Sequence, residues 1–181
     1  MAANQDAERA RLWAKFQACD KDKNGSITVD ELRASLLSGC DYQRPFSYEV
    51  CRMMMSMYDK NRNGRLTFDE YVNLDGYIRN WYGYFTRNDV NRDGRLEHRD
   101  FQTAITGLGF RLNQDFFNQI WMDLMKGTGS NGVVFDQFMH VCIVMQMLTN
   151  AWNKRVPNNV TTLEIEHVDF ASIIMGIRPI R

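Results

Sequence analysis

Apolar residues recur along this chain at helical spacing, in bursts separated by polar stretches that each contain a glycine. Trp13 and Phe16 begin the pattern, and Leu32 and Leu36 resume it after the first polar gap. Met54, Met55 and Tyr58 lead into a second gap, and Phe68, Tyr71 and Val72 lead out of it. Tyr82 and Phe85 approach a third, which Phe101 and Ile105 follow. The spacing predicts a helix on each side of every gap. Phe68 to Arg87 reads as one helix shared by two gaps, and Phe135 to Arg155 as another. Gly39 to Pro45 is the only obvious flexible connector.

The gaps themselves repeat. Asp20, Asp22, Asn24, Thr28 and Glu31 place oxygen donors at positions 1, 3, 5, 9 and 12 of a twelve-residue loop, with Gly25 at 6, Ser26 at 7 and Ile27 at 8. Asp59, Asn61, Asn63, Arg65, Thr67 and Glu70 fall in the same register, as do Asp89, Asn91, Asp93, Arg95, Glu97 and Asp100. A hard divalent cation such as Ca²⁺ takes about seven oxygens, from side chains at 1, 3, 5 and 12, a backbone carbonyl at 7, and a water commonly held by 9. Ser26, Arg65 and Arg95 would therefore contribute carbonyls, with the Arg65 cation pointing outward. Glycine at 6 admits the sharp turn around the ion. These are three EF-hand loops, and the eighteen residues at positions 1, 3, 5, 7, 9 and 12 are candidate metal ligands.

The donor sets differ. The first loop, with Asp20, Asp22 and a forked Glu31, is expected to bind best. The second carries only Asp59 and Glu70 as charges and is expected to bind more weakly. The third is the most acidic, but Asp100 is one methylene shorter than Glu, so it admits six-coordinate Mg²⁺ or weakened Ca²⁺ unless Glu97 ligates directly. Lys126 to Gln137 keeps the glycines and a short apolar strand at Val133 to Phe135 but has no carboxylate at positions 1, 3 or 12, so no Ca²⁺ is expected there. Val156 to His167, with the strand candidate Thr162 to Ile165, also lacks the ligand set.

Loop starts at 20, 59, 89, 126 and 156 give steps of 39, 30, 37 and 30 residues. This rhythm, with Gly107 to Leu112 and Cys142 to Gln146, resembles the penta-EF-hand family, most of all its apoptosis-linked branch. The resemblance spans about Leu12 to Ile177. It implies an all-α fold of five helix–loop–helix hands, near 11–38, 46–75, 76–106, 113–145 and 146–178, behind a short N-terminal segment, 1–10. Hands one and two would pair through short loop strands, as would three and four, leaving the fifth at a homodimer interface. Unpaired strand edges favour that arrangement too. Val168, Phe170, Ile173, Ile174, Met175 and Ile177 would supply the apolar surface.

Composition narrows the function. The chain has 22 basic and 22 acidic side chains among 181 residues, so no bulk field draws it to nucleic acid. The cysteines, Cys19, Cys40, Cys51 and Cys142, have no metal or redox spacing, and no N-terminal apolar stretch marks a secretory signal. Reduced thiols in the cytoplasm are the expectation, and Met1-Ala2-Ala3 does not fit a myristoylation site. The three histidines stand apart and no catalytic constellation is present, so no enzyme activity is expected. Met53, Met54, Met55 and Met57 read as core filler or as an adaptable partner groove, and Trp81, Tyr82 and Tyr84 as core or partner surface. The leading functional expectation is a calcium sensor and adaptor that associates with protein partners or, peripherally, with membranes. A regulatory subunit of a calpain-like cysteine protease and a simple calcium buffer are the alternatives.

Overall fold

The computed structural model describes residues 2–38, 42, 46–110, 112–126 and 131–153. Among these the secondary structure is helical throughout: α1 (Ala2–Cys19), α2 (Val29–Ser38), α3 (Tyr48–Tyr58), α4 (Phe68–Asn88), α5 (His98–Gly107), α6 (Gln114–Met125) and α7 (Phe135–Asn153). Loops join α1 to α2, α3 to α4, α4 to α5 and α6 to α7, which makes four helix–loop–helix hands. The shared helix expected from Phe68 is α4. It begins at a capping box in which Thr67 and Glu70 satisfy each other's neighbouring backbone donors. Residues 2–10 are not a separate stretch; they form the first half of α1, where Glu8 and Arg9 bind residues of α4.

Single β-bridges join the loops in pairs. Ile27 and Leu66 exchange two backbone hydrogen bonds of 2.9 Å each, and Leu96 and Val133 exchange bonds of 2.8 and 2.9 Å. All four side chains are fully buried, because position 8 is where each loop turns its face to the core. Gly132 lies beside the second bridge, where a Cβ would come within 2.9 Å of the Arg95 Cβ and 3.0 Å of the Leu96 carbonyl oxygen. Only glycine lets the two loops approach this closely.

The core is aromatic where the two pairs of hands meet. Phe135 packs against Phe46, Tyr82 and Phe85 with ring centroids 5.1 to 5.5 Å apart, and Phe138 packs against Phe85 and Trp81. A polar contact adds to this seam: Ser47, the N-cap of α3, donates its backbone N–H to Asp136 Oδ1 at 3.0 Å. Met53, Met54, Met55 and Met139 are buried as core filler, whereas Met57 is partly exposed. Trp81, Tyr82 and Tyr84 are half-buried against the core. No helix of the described residues is long and apolar enough to cross a membrane. The fifth hand beyond Asn153, with its Val156 to His167 loop and the apolar set from Val168 to Ile177, lies outside the described residues, as do most of Gly39 to Pro45 and the last two residues expected of α7.

Candidate metal centre

The three ligand loops have one backbone design. Gly25, Gly64 and Gly94, at position 6, have φ of 81, 75 and 79°. Lys23, Arg62 and Arg92, at position 4, have φ of 55, 57 and 58°. Two left-handed residues separated by one turn each loop inward and aim its side chains at a common centre. The glycines were legible in the sequence. The position-4 residues were not, because lysine and arginine carry no signal for positive φ.

Position 1 anchors each turn. Asp20 accepts from the backbone N–H groups of Asn24 at 3.1 Å and Gly25 at 2.8 Å, and Asp59 accepts from Asn63 and Gly64 at 3.1 and 2.7 Å. Asp22 and Asn61, at position 3, accept from the position-5 N–H groups, and Asn24 and Asn63 accept from the N–H groups of Ser26 and Arg65. Position 12 closes the loop. Glu31 Oε2 accepts from both the backbone and the hydroxyl of Thr28, at 2.9 and 2.8 Å, while its Oε1 accepts from the Lys21 N–H at 3.0 Å. Glu70 does the same with Thr67 and Lys60. Burial pushes both glutamates up, but these hydrogen bonds outweigh it and hold their carboxyls below the ordinary range. Asp20, Asp22 and Glu31 each bring one oxygen within 4.8 Å of the others.

The third loop departs from this plan. Asp89 Oδ2 accepts from Gly94 at 2.9 Å, but its Oδ1 is buried without a hydrogen-bond partner. Glu97, at position 9, receives the Asn91 amide at 3.3 Å, and Asn91 and Asp93 accept within the loop as in the other two. Among the described residues no side-chain hydrogen bond ties Asp100 to the loop. An orphaned, buried carboxylate oxygen is costly unless a cation or water meets it, so this loop too fits a divalent ion. Its carboxylates do not converge as Asp20, Asp22 and Glu31 do.

The arginines at position 7 do not simply point outward. Arg65 Nη1 reaches 3.4 Å from Ser26 Oγ of the paired loop, and Arg95 Nη1 lies 3.5 Å from the Gly132 carbonyl. Each crosses its bridge and braces the neighbouring loop. In the fourth hand Gln137 takes the position-12 role as a cap, accepting from Val134 N–H and donating to the Leu124 carbonyl. Residues 127–130 of that loop are outside the described set. His98 is packed between Phe117 and Trp121 with ring centroids 5.2 and 4.9 Å away.

Paired helix–loop–helix hands with this oxygen spacing define an EF-hand calcium-binding protein. A family model described as an EF-hand domain pair matches residues 9–74. Human sorcin is 28% identical over 169 residues, covering 92% of this chain and 83% of sorcin. Sorcin of Schistosoma japonicum is 30% identical over 139 residues, covering 77% and 79%. Human peflin is 28% identical over 170 residues, and the chain spans 58% of its length. A solved structure titled as a homolog of programmed cell death 6 protein from Leishmania major Friedlin superposes with a TM-score of 0.75 at 26% identity, covering 92% of this chain and 93% of that one. The chain belongs to the penta-EF-hand family of sorcin and peflin. It is an EF-hand calcium-binding protein.

Proposed function

We propose that this protein is a calcium sensor that offers apolar surface to protein partners when its first and third loops fill. The convergence of Asp20, Asp22 and Glu31 carries the reading. Carboxylates this close repel by roughly 1 kcal/mol per pair in bulk water, and by more where protein displaces water. The fold holds them together with backbone hydrogen bonds, and a cation relieves the repulsion. Glu31 and Glu70 stand in the first turn of the exit helices α2 and α4 while gripping the start of their loops at Lys21 and Lys60. Any change in loop closure is thereby transmitted to helix position.

Ca²⁺ at ~100 times its dissociation constant supplies ~2.7 kcal/mol per site toward the form that binds it. Two sites approach the ~5.5 kcal/mol that carries an equilibrium from one per cent to ninety-nine. The third loop admits Mg²⁺ as well as Ca²⁺. α4 exits the second loop and enters the third, so Tyr77, Trp81 and Tyr84 along it are the side chains poised to change exposure. We propose cytoplasmic location, calcium-dependent association with membranes, and a homodimer through the fifth hand. The two bridges consume four loops in pairs, which supports a fifth partnered in trans.

Asp20→Ala combined with Asp89→Ala tests the reading. The variant should lose the calcium-induced change in tryptophan fluorescence and calcium-dependent partner or vesicle association. Retention of both responses would place the switch elsewhere. Light scattering that finds the intact chain monomeric at micromolar concentration, with and without calcium, would remove the dimer.

A further inference from the structure

A cavity of about 260 Å³ lies between α1, α2 and α4, walled by Leu32, Leu36, Leu74 and Ile78. Ligand pockets for drug-sized molecules run from ~300 to 1,000 Å³, so this one suits one or two side chains of a peptide. Its lining is mostly apolar, with Lys15 and Ser35 on the α1 and α2 sides and Asp75 on α4 as the polar exceptions. Tyr71, Leu74, Asp75 and Ile78 follow helical spacing down the inner face of α4, and Asp75 puts a carboxylate where the pattern calls for an apolar residue. Asp75 is only 7% exposed.

One oxygen of that carboxylate is ion-paired but accepts no hydrogen bond. Arg79 Nε lies 2.7 Å from Asp75 Oδ2 but out of line for a hydrogen bond, so the oxygen is buried beside a cation yet accepts nothing. Arg79 has a better partner in Glu8 of α1, to which its Nη1 donates at 2.7 Å. Hydrogen bonds from Arg11 and then Arg79 hold the Glu8 carboxyl down at about 2. Arg79 would therefore keep an anionic partner if it left Asp75. A buried carboxylate at an apolar cavity recognises a cation carried on an apolar group, because water cannot solvate it there and a charge-assisted hydrogen bond is strongest in that setting.

We infer that this cavity receives an apolar side chain of a partner peptide with Lys or Arg immediately beside it, the base taking the place of Arg79 at Asp75. The inference rests on the sensor reading, since it names the partner chemistry of that function, but its site is separate from the metal loops.

Two synthetic twelve-residue peptides of equal apolar content, one with lysines flanking a central Leu-Phe and one with glutamates, test this by fluorescence anisotropy. Each is measured with saturating calcium and with chelator. The lysine peptide should bind about tenfold more tightly, the worth of one charge-assisted hydrogen bond. With 22 charges of each sign the chain has no bulk field to produce that gap. Asp75→Asn should close it to within about twofold. Ala18→Phe, at an exposed position of the cavity wall, should weaken the lysine peptide with the melting temperature unchanged. A gap that survives Asp75→Asn, or binding of neither peptide, overturns the proposal. So does a dimerisation change in Asp75→Asn without peptide binding, which would make the occupant a second copy. Discrimination that calcium does not alter leaves the cavity assignment standing and removes the sensor reading. Calcium-induced dye binding without discrimination does the reverse.

Discussion

In the first two loops the residue that ends the loop also holds its beginning, through Glu31 to Lys21 and Glu70 to Lys60, while a threonine at position 9 locks the same carboxylate. In the third loop position 9 is Glu97, position 12 is Asp100, and one oxygen of Asp89 is buried without a partner. The first pair of hands is closed by these hydrogen bonds. The third loop has more negative charge but less order. Charge sets attraction for the ion and preorganisation sets how much of it is kept, so the hydrogen bonds within each loop bear on its affinity as well as its carboxylates.

The largest expected effect falls on the ordered loop. Glu31→Gln should push the tightest calcium event out of the ~10⁻⁷ to 10⁻⁵ M sensor range, as read by isothermal titration against a competing chelator. The intact chain should bind about two or three ions, given the ligand number each requires. Four or five strong sites would overturn the reading of the last two loops.

Gly132→Ala comes next. Its Cβ would meet the Arg95 side chain and the Leu96 carbonyl, so urea unfolding should show a loss of ~1–3 kcal/mol. An unchanged midpoint would mean the third and fourth loops have room to part.

Asp100→Glu should give the third loop the tie it lacks and raise its preference for Ca²⁺ over Mg²⁺ by roughly tenfold, through the second carboxylate oxygen. No change would show that Glu97 already completes the ligand shell.

A smaller effect should separate the loops without metal. Thr28→Ala or Thr67→Ala removes one capping hydroxyl and should cost ~1 kcal/mol, whereas Glu97→Ala should cost less. The sign of the pH dependence follows from the same bonds. Glu31 and Glu70 have carboxyls held below their ordinary value, so their contribution is present above it and disappears as the pH falls through the lowered folded values. Thermal melts of calcium-free protein should show that loss flattened in the two threonine variants.

Asp136→Asn is the smallest. Burial lifts the Asp136 carboxyl, and the Ser47 hydrogen bonds only partly oppose this. Stability from this group is therefore greatest below the ordinary aspartate range and declines as the pH rises through the raised folded value. The asparagine keeps an acceptor for Ser47 and should leave the neutral-pH melting temperature within about a degree or slightly raised, since a ΔΔG of 1 kcal/mol shifts a domain of this size by only ~2–4 °C. A drop of several degrees would assign the charge a structural role at the seam.

The helices and the three loops were legible because their signals are local. Period 3.6 exposes Phe16, Leu32, Phe85 and Phe101, and the oxygen spacing around Gly25, Gly64 and Gly94 has few other meanings. The start of α1 was missed because Ala2 to Arg11 has only a weak apolar stripe; Glu8 and Arg9 anchor it through ion pairs to Arg79 and Asp69, sixty or more residues away. The crossing of Arg65 to Ser26 was missed for the same reason. Asp75 left a signal that could have been read, a lone carboxylate on an apolar helical face. Its cavity, however, depends on how α1 and α2 pack against α4.

A sensor couples calcium binding to surface exposure, and an apolar-dye titration run alongside calorimetry on the same sample tests that coupling. Dye fluorescence should rise in step with the filling of the tight sites, reach a plateau with them, and stay flat in the Asp20→Ala, Asp89→Ala variant. Tight calcium binding with dye fluorescence unchanged would make the protein a buffer or a structural calcium protein and would contradict the sensor assignment.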